Sequence, residues 1–556
     1  MIKFFTLTTI LFVTFLTFGQ TRNNDPVVVK GSNLSCMIGV QPSLIVAYKF
    51  DGTNLVQIPM QVDEVVVKEA SAPYNNLGCA FGTISNNNTY DNISFYADAN
   101  TFTGPDTNPL FDNDDELVFM AKDAGLKLTI CPLTPTGVIN NITCELELRD
   151  PINNALLGYV YLFQQNGTLN QSAGINYVTY NFTYANNYQA TYDICAGGMT
   201  ENSTVTTANY SMKFSKRVIN DELKISAGGA TNVDILDRHQ FFVAPNNCFR
   251  SEDTFSDSRG TVVTSKNGPV RAIRSVMGAN SGVGTQGTMK FTESRVDYQL
   301  DFRVHPIGGF HDVMDLNPNA IGMMYYNNQN PNGVVINGVQ DVLVTTNPNV
   351  WELYTGNQGS IAVGYAYETD IPLGVNSLVR AYYDDGGSTN PKHTCTGDGF
   401  AYGASGFNLV TGLCTDYWAT ASGCGALASY FRLHRRNYML PPSTNPAQAA
   451  TYANYGNNPI STTNTSSALT SFCTLDIDNI QKSNFLIYPN PNYGKFYINS
   501  TIECELEIFN ILGQNIQSVS LNKNENEIII NSSGVYLLLI NDKYGNKNTF
   551  KVVVNE

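Results

Sequence analysis

The most regular hydrophobic pattern in the chain runs from Val296 to Val304, where apolar and polar side chains alternate without a break. Val296, Tyr298, Leu300, Phe302 and Val304 share one face and Arg295, Asp297, Gln299, Asp301, Arg303 and His305 the other, so a strand with one face in a core is expected. Its polar face is either solvent surface, with opposite charges about 7 Å apart offsetting one another, or the floor of a polar groove. On the groove reading Arg303 and His305 are the candidate ligand contacts, because a guanidinium offers a planar fork of donors to carboxylate or hydroxyl oxygens. Shorter runs at Val27 to Val29, Ser43 to Phe50, Val65 to Val67 and Leu117 to Met120 are rich in β-branched and aromatic residues and separated by Asn, Gly and Pro. The stretches Val262-Val263 and Val270 to Met277 flank Asn267-Gly268, a hairpin signal that Pro269 weakens, since proline cannot donate to a ladder.

Helical periodicity is scarce, with one short helix expected at Ala421 to Tyr430, ahead of the basic cluster Arg432, His434, Arg435 and Arg436. The fold class expected is therefore all-β. Residues 1–20 read as a secretory signal peptide, Lys3 preceding an apolar run from Phe4 to Phe18. Residues 21–154 read as a β-sandwich and 155–455 as a larger β-rich domain. Pro441-Pro442 is expected to end regular structure, the Thr/Asn/Ser-rich stretch 456–480 to be a linker, and 481–556 to be a separate, strongly alternating unit. No later stretch approaches the roughly 18 consecutive apolar residues of a membrane-spanning helix.

Composition narrows the class. A chain of 556 residues with only 14 % charged side chains suits several β domains, and a net charge of −15 argues against a nucleic-acid partner, whose phosphates demand basic patches. Ten of the eleven cysteines precede residue 481, an even number that permits disulfides in an oxidising compartment, with Cys131 and Cys144 the best local pair across an expected hairpin. Cys504 alternates with Leu506 and Ile508 opposite Glu503, Glu505 and Glu507, which makes it a core thiol.

Candidate chemistry is thinly spread. Asp112, Asp114 and Glu116 suit Ca2+, a hard cation that takes six to eight oxygens, but they equally suit a turn before a strand. A lyase needs a Tyr or His base and a positive group beside the uronate carboxylate, and His305, His311, Arg303 and Tyr325 to Asn328 stand close in sequence. Tyr325, Tyr326, Trp351 and Tyr354 alternatively form an aromatic platform for sugar faces, although Trp351 and Trp418 suit a core as well. Asp384 to Gly387 reads as a turn, and the Gly282 to Gly287 match to G-x-G-x-x-G leads into a strand, not the helix that a pyrophosphate site requires.

Two resemblances add to this reading. Tyr488, Pro489, Asn490 and Pro491 with Gly494, then Ile508 to Gln514 with Gly513, then Gly534-Val535-Tyr536 and finally Lys551 to Val554 resemble in order and spacing the C-terminal sorting domain of type IX secretion cargo of Bacteroidetes. That resemblance implies an Ig-like β-sandwich at 481–556, the type IX machinery and its sortase as partners, and a destination outside the cell or on its outer surface. Ile58 to Glu64, Asp112 to Phe119 and Gly268 to Arg271 resemble, in that order, an uncharacterised family of secreted proteins linked to polysaccharide utilisation. This second resemblance implies a galactose-mutarotase-like β-supersandwich in the middle of the chain and a glycan partner, and it carries over no catalytic residue. The expected function is binding or processing of an extracellular polysaccharide; the alternative is a non-catalytic surface or adhesion protein, which the Thr/Asn/Ser-rich composition suits equally.

Overall fold

In the computed structural model the residues described are 22–68, 93–101, 103–129, 132–183, 201–215, 219–243, 250–251, 260–278, 286–302, 309–369, 377–392, 399–411, 431–469, 485–542 and 547–555. They form two compact units, Met1–Phe472 and Cys473–Glu556, which we call the body and the tail. Both are built from antiparallel sheets, as the alternation predicts. No helix of the described residues is long and apolar enough to cross a membrane. The signal peptide, the helix expected at 421–430 and Trp418 lie outside the described residues, as do Arg303 and His305.

The N-terminal part of the body is a sandwich. A three-stranded sheet of Pro26–Lys30, Glu116–Met120 and Gln61–Asp63 faces a five-stranded sheet of Ser461–Ala468, Val138–Arg149, Leu156–Gln165, Ile45–Phe50 and Leu55–Ile58. Val27, Val29, Leu117 and Phe119 from the first sheet meet Ile45, Ala47, Leu146 and Leu162 from the second in one core. This domain reaches past residue 154, because Leu156–Gln165 is its central strand, and it takes its last strand from the stretch expected to be linker. Ser461–Ala468 pairs with Val138–Arg149 along its whole length as a mostly exposed edge strand, in which threonines supply β-branching without apolar bulk.

The disulfide of this sandwich joins Cys144 to Cys36, with 6.4 Å between Cα atoms, so the pairing of Cys144 with Cys131 is corrected. Residue 144 is fully buried and faces the Leu34–Met37 turn across the core, which brings Cys36 to it from the other end of the domain.

The rest of the body is dominated by two facing sheets. The long sheet has nine strands in the order Gly260–Lys266, Ala272–Gly278, Gln286–Phe291, Arg295–Phe302, Phe431–Leu440, Gly359–Thr369, Trp351–Gly356, Met324–Asn327 and Val334–Val335. The short sheet runs Arg250–Ser251, Leu236–Val243, Gly309–Leu316, Tyr402–Thr411 and Ser377–Asp384. Val296, Tyr298 and Leu300 enter the core between them with Phe310, Met314, Phe407 and Leu409, so the alternation places the expected face inward.

Regular structure does not end at Pro441-Pro442. A helix at Pro446–Asn457 is capped by Asn445, whose side chain accepts from Gln448 N–H while the Gln448 side chain accepts from Asn445 N–H, and Pro446 takes the first helical position. Its buried residues Ala449, Ala453 and Gly456 are small, and a Cβ at Gly364 of the long sheet would lie 2.8 Å from the Ala453 Cα, so glycine there permits the close approach. In the tail, a three-stranded sheet (Phe485–Tyr488, Lys495–Ser500, Asn524–Ile529) packs on a four-stranded one (Asn515–Leu521, Cys504–Asn510, Gly534–Asp542, Lys547–Val554). Cys504 is buried in that core beside Leu506 and Ile508.

Candidate functional site

The three body segments singled out in the sequence meet at one point, although about two hundred residues of chain separate them. Arg271 is nearly fully buried and gives its Nε to Asp63 at 2.7 Å and a terminal nitrogen to Glu116 at 2.6 Å. Gln61 Oε1 accepts from the backbone N–H groups of Val270 and Arg271 at 3.0 and 2.9 Å. A Cβ at Gly268 would stand 2.3 Å from that same oxygen, so glycine makes room for Gln61. Tyr96 donates to Glu116, and Lys266 lies 3.4 Å from Asp63. Every oxygen and nitrogen in this arrangement that the argument uses is occupied by another protein group, which makes it a clamp between the N-terminal sandwich and the long sheet.

The polar ladder of the Arg295–Phe302 strand is also paired from within. The neighbouring strand Phe431–Leu440 places Tyr438, Arg436, His434 and Arg432 directly opposite Arg295, Asp297, Gln299 and Asp301. Arg432 Nε meets Asp301 at 2.5 Å, and Arg295 bonds Asp297, Asp25 and the Tyr438 hydroxyl. The basic cluster in the sequence is thus the counter-charge of the ladder, and the ladder is neither open solvent surface nor groove floor at its Arg295 end. Arg435, alternating with these residues, points the other way, into the core, where Asp312 and His239 of the short sheet receive it. Burial and the adjacent Arg435 push the His239 imidazole down from its usual value.

The aromatic platform is divided by the same two-residue period. Tyr325 and Tyr354 lie fully buried between the sheets, where Tyr325 donates to Glu352, a carboxyl that burial pushes up to about 7. Tyr326 and Trp351 lie on the opposite face and pack partly buried near Leu353, Tyr438 and Ala449.

A different polar surface was not found by reading the sequence. It is the face of the short sheet turned away from the core, where the register aligns His311, Asn408 and Arg380 in one row across three strands. The Nδ1 of His311 meets the Oδ1 of Asn408, and the Tyr382 ring stands edge-on to the imidazole, centroids 4.4 Å apart. An Nδ1–H donating to the amide oxygen satisfies both groups of that contact. One row further, Tyr382 donates to Asp384 at 3.1 Å, and Lys392 lies 5.7 Å over the Tyr382 ring. Burial lowers the Lys392 ammonium from its usual value. His311, Tyr382 and Asp384 are buried, whereas Asn408 is half-buried and Arg380 and Lys392 are exposed, so the accessible groups are an amide and two cations backed by an ordered polar layer. Asp384 accepts from Gly386 N–H and Asp385 from three backbone N–H groups, as the expected turn requires. The sequence signal for this surface is faint: only His311 stood near other candidates, and Arg380, Tyr382 and Asn408 are brought to it by pairing between distant strands.

The acidic segment is sorted by structure. Asp112, Asp114 and Asp115 bring carboxylate oxygens within 4.8 Å of one another, and Glu116 is drawn away to Arg271. Three carboxylates that close are a donor set that fits a hard cation. Within the protein they also build the turn: Asp115 accepts from the N–H of Val65 and of Asp112, and Asp112 from that of Asp114. The hydrogen bond shared with Asp112 and partial burial push Asp114 up to about 6, and burial pushes Asp115 up to about 6.

In the tail the motif residues build the domain. Asn490 donates to the Lys551 carbonyl at 2.7 Å and accepts from Val553 N–H at 2.9 Å, so the Tyr488 to Pro491 loop is pinned along the last strand. Asn492 accepts from Gly494 N–H, with Gly494 at φ +92°, and Asn510 accepts from Leu512 and Gln514 N–H around Gly513 at φ +78°. The strand Gly534–Asp542 begins at Gly534, and Tyr536 donates to Ser532 O at 2.8 Å.

Residues 486–555 match the family model of the secretion system C-terminal sorting domain. That tail marks the chain as secreted cargo, exported toward the cell surface. No curated protein matches the chain. Among solved structures, a polysaccharide lyase is similar at 9 % identity over 63 % of this chain and 47 % of the lyase, with a TM-score of 0.21. A putative aldose 1-epimerase from Escherichia coli K12 is similar at 10 % identity over 47 % of this chain and 100 % of the epimerase, with a TM-score of 0.22. The chain thus spans about half the length of the lyase, and likeness of this degree carries no argument about chemistry.

Proposed function

We propose that the body binds or processes an extracellular polysaccharide on the outer face of the short sheet, with Arg380, Asn408 and Lys392 as its contacts. The observation that carries this reading is the row of His311, Asn408 and Arg380 across three neighbouring strands. Strands in a sheet lie about 4.8 Å apart, so such a row offers donors at the spacing of hydroxyl and carboxylate groups along a sugar chain. Arg380 and Lys392 favour a polymer that bears carboxylates, His311 orients the Asn408 amide, and Tyr382 orients His311.

The test is a binding and product screen of the mature body on acidic and neutral glycans. Arg380→Ala and Asn408→Ala are each expected to weaken binding of an acidic glycan by about tenfold or more, the loss of one charged or bidentate contact. New unsaturated or reducing ends would establish processing, and unchanged binding in both variants would sink the proposal.

The adhesion reading is favoured by one feature, the loop that exposes Val339, Val342 and Val344 while Asn330 holds the Val344 backbone through both its amide atoms. Binding to no glycan, with adherence to cells or proteins lost on Val342→Asp, would select it.

For the tail we propose the full route of type IX cargo: removal of residues 1–20, passage across the outer membrane, and processing by the sortase of that system. Deleting residues 473–556 is expected to leave the body in the periplasm. Surface display of that truncation, measured by protease accessibility on intact cells, would refute the address.

A further inference from the structure

We infer that the outer face of the tail's four-stranded sheet, together with the turn at Ile511 and Leu512, is the surface gripped by a protein subunit of the export machinery that presents a complementary aliphatic surface. This rests on the reading of the tail as the export address.

The two outer faces of the tail sandwich differ in kind. On the three-stranded sheet the outward residues pair with each other: Lys495 lies 2.8 Å from Glu527, and the Tyr488 hydroxyl donates to Glu525. Its exposed apolar residues, Leu486 and Ile529, sit on different edge strands with the polar pairs between them. On the four-stranded sheet the apolar residues adjoin. Phe509 stands directly opposite Leu537 and Val535 opposite Val553, with Leu539 two residues beyond Leu537 on the same face. Leu537 is 46 % and Val535 36 % exposed. None of these side chains belongs to the tail core, which takes Tyr536, Leu538 and Ile540 from the other side of the same strand.

The turn that follows Phe509-Asn510 continues the strip. Its backbone is held by the Asn510 side chain, yet it presents Ile511 and Leu512 at 76 % and 79 % exposure. Building a turn rigidly and tipping it with two large aliphatics costs solubility, and nothing in the turn's own hydrogen bonding requires them. Glu507 stands opposite Leu539 on one side, and Thr549 and Lys551 stand opposite Leu539 and Leu537 on the other, so polar groups border the apolar residues as they do at the rim of a protein–protein contact. The motif glycines and asparagines fold the tail; these aliphatics are what it leaves for a reader.

The experiment follows surface display of the full chain in its host. Leu512→Glu is expected to cut display at least about tenfold, because a carboxylate forced unpaired into an apolar contact weakens it by that much or more, and Leu537→Glu, whose carboxylate would stand opposite Lys551, to cut it in the same direction. The same change on the other face, Ile529→Glu, is expected to leave display as in the unaltered chain. Residue 512 lies in an exposed turn outside the core, so its variant reports on recognition even where Leu537→Glu impairs folding, which protease resistance of the tail measures. Native display of Leu512→Glu, or equal loss with Ile529→Glu, would overturn the inference while the address reading stands. Display of the chain lacking residues 473–556 would overturn both. Native display of the variants together with loss of a dimer in solution would assign the face to a second copy and overturn the inference as well.

Discussion

Replacing Arg271 with alanine is expected to lower the stability of the body by about 3–5 kcal/mol, the cost of leaving a buried charge without its partner. The change takes the nearest cation from Asp63, which is 1 % exposed and keeps only Lys266 at 3.4 Å, and one of the two cations that hold Glu116. Denaturant unfolding of the purified body measures it, and a loss below about 1 kcal/mol, the range of an exposed pair, would show that the clamp is not closed in solution. Removing the Arg271–Asp63 pair together, as Arg271→Met with Asp63→Leu, is expected to recover much of the loss, since an apolar pair needs no desolvated partner and Lys290 still faces Glu116. The pH dependence has a definite sign. Burial raises the Glu116 carboxyl, but Arg271 and Lys290 outweigh it and hold the group at about 2. A carboxyl depressed on folding contributes stability that is complete above its ordinary value near 4.5 and is lost as pH falls through about 2, and Arg271→Ala should flatten that acid limb.

Opening the Cys36–Cys144 disulfide is expected to have a comparable effect. The bridge closes a loop with a sequence separation of 108, for which the chain-entropy model gives about 4–5 kcal/mol. Cys36→Ser should therefore shift the denaturation midpoint down strongly, and reductant should move the unaltered chain toward the variant. A midpoint that reductant changes equally in Cys36→Ser would place the stabilising bridge elsewhere.

The two resemblances read from the sequence behaved differently when the chain was folded. Tail motifs such as Asn492 to Gly494 and Asn510 to Gly513 are local turns, whose partners lie within a few residues, so order and spacing carried them. The body motifs Gln61 to Asp63, Glu116 and Gly268 to Arg271 were legible as letters only. Their meaning, one buried ion-pair clamp, depends on contacts between residues up to 210 positions apart. The helix at Pro446–Asn457 was legible through Asn445, Pro446 and Gln448, but its small-residue face lacks the apolar stripe by which helices are usually recognised. The edge strand at Ser461–Ala468 was hidden by composition, because its pairing is made by the backbone and asks almost nothing of its side chains.

Sequence by itself determined the all-β class, the inward face of the strand from Arg295 to Phe302, the core position of Cys504 and the export address, because strand alternation and turn chemistry are properties of neighbouring residues. Tertiary structure alone decided which charges face each other. It set the Arg432 to Tyr438 strand beside the polar ladder, turned Arg435 inward to Asp312, took Cys144 to Cys36, and aligned His311, Asn408 and Arg380 on one outer face. The reason is that register between distant strands is fixed by the whole core they share. A shift of one residue would send every one of these side chains to the opposite face.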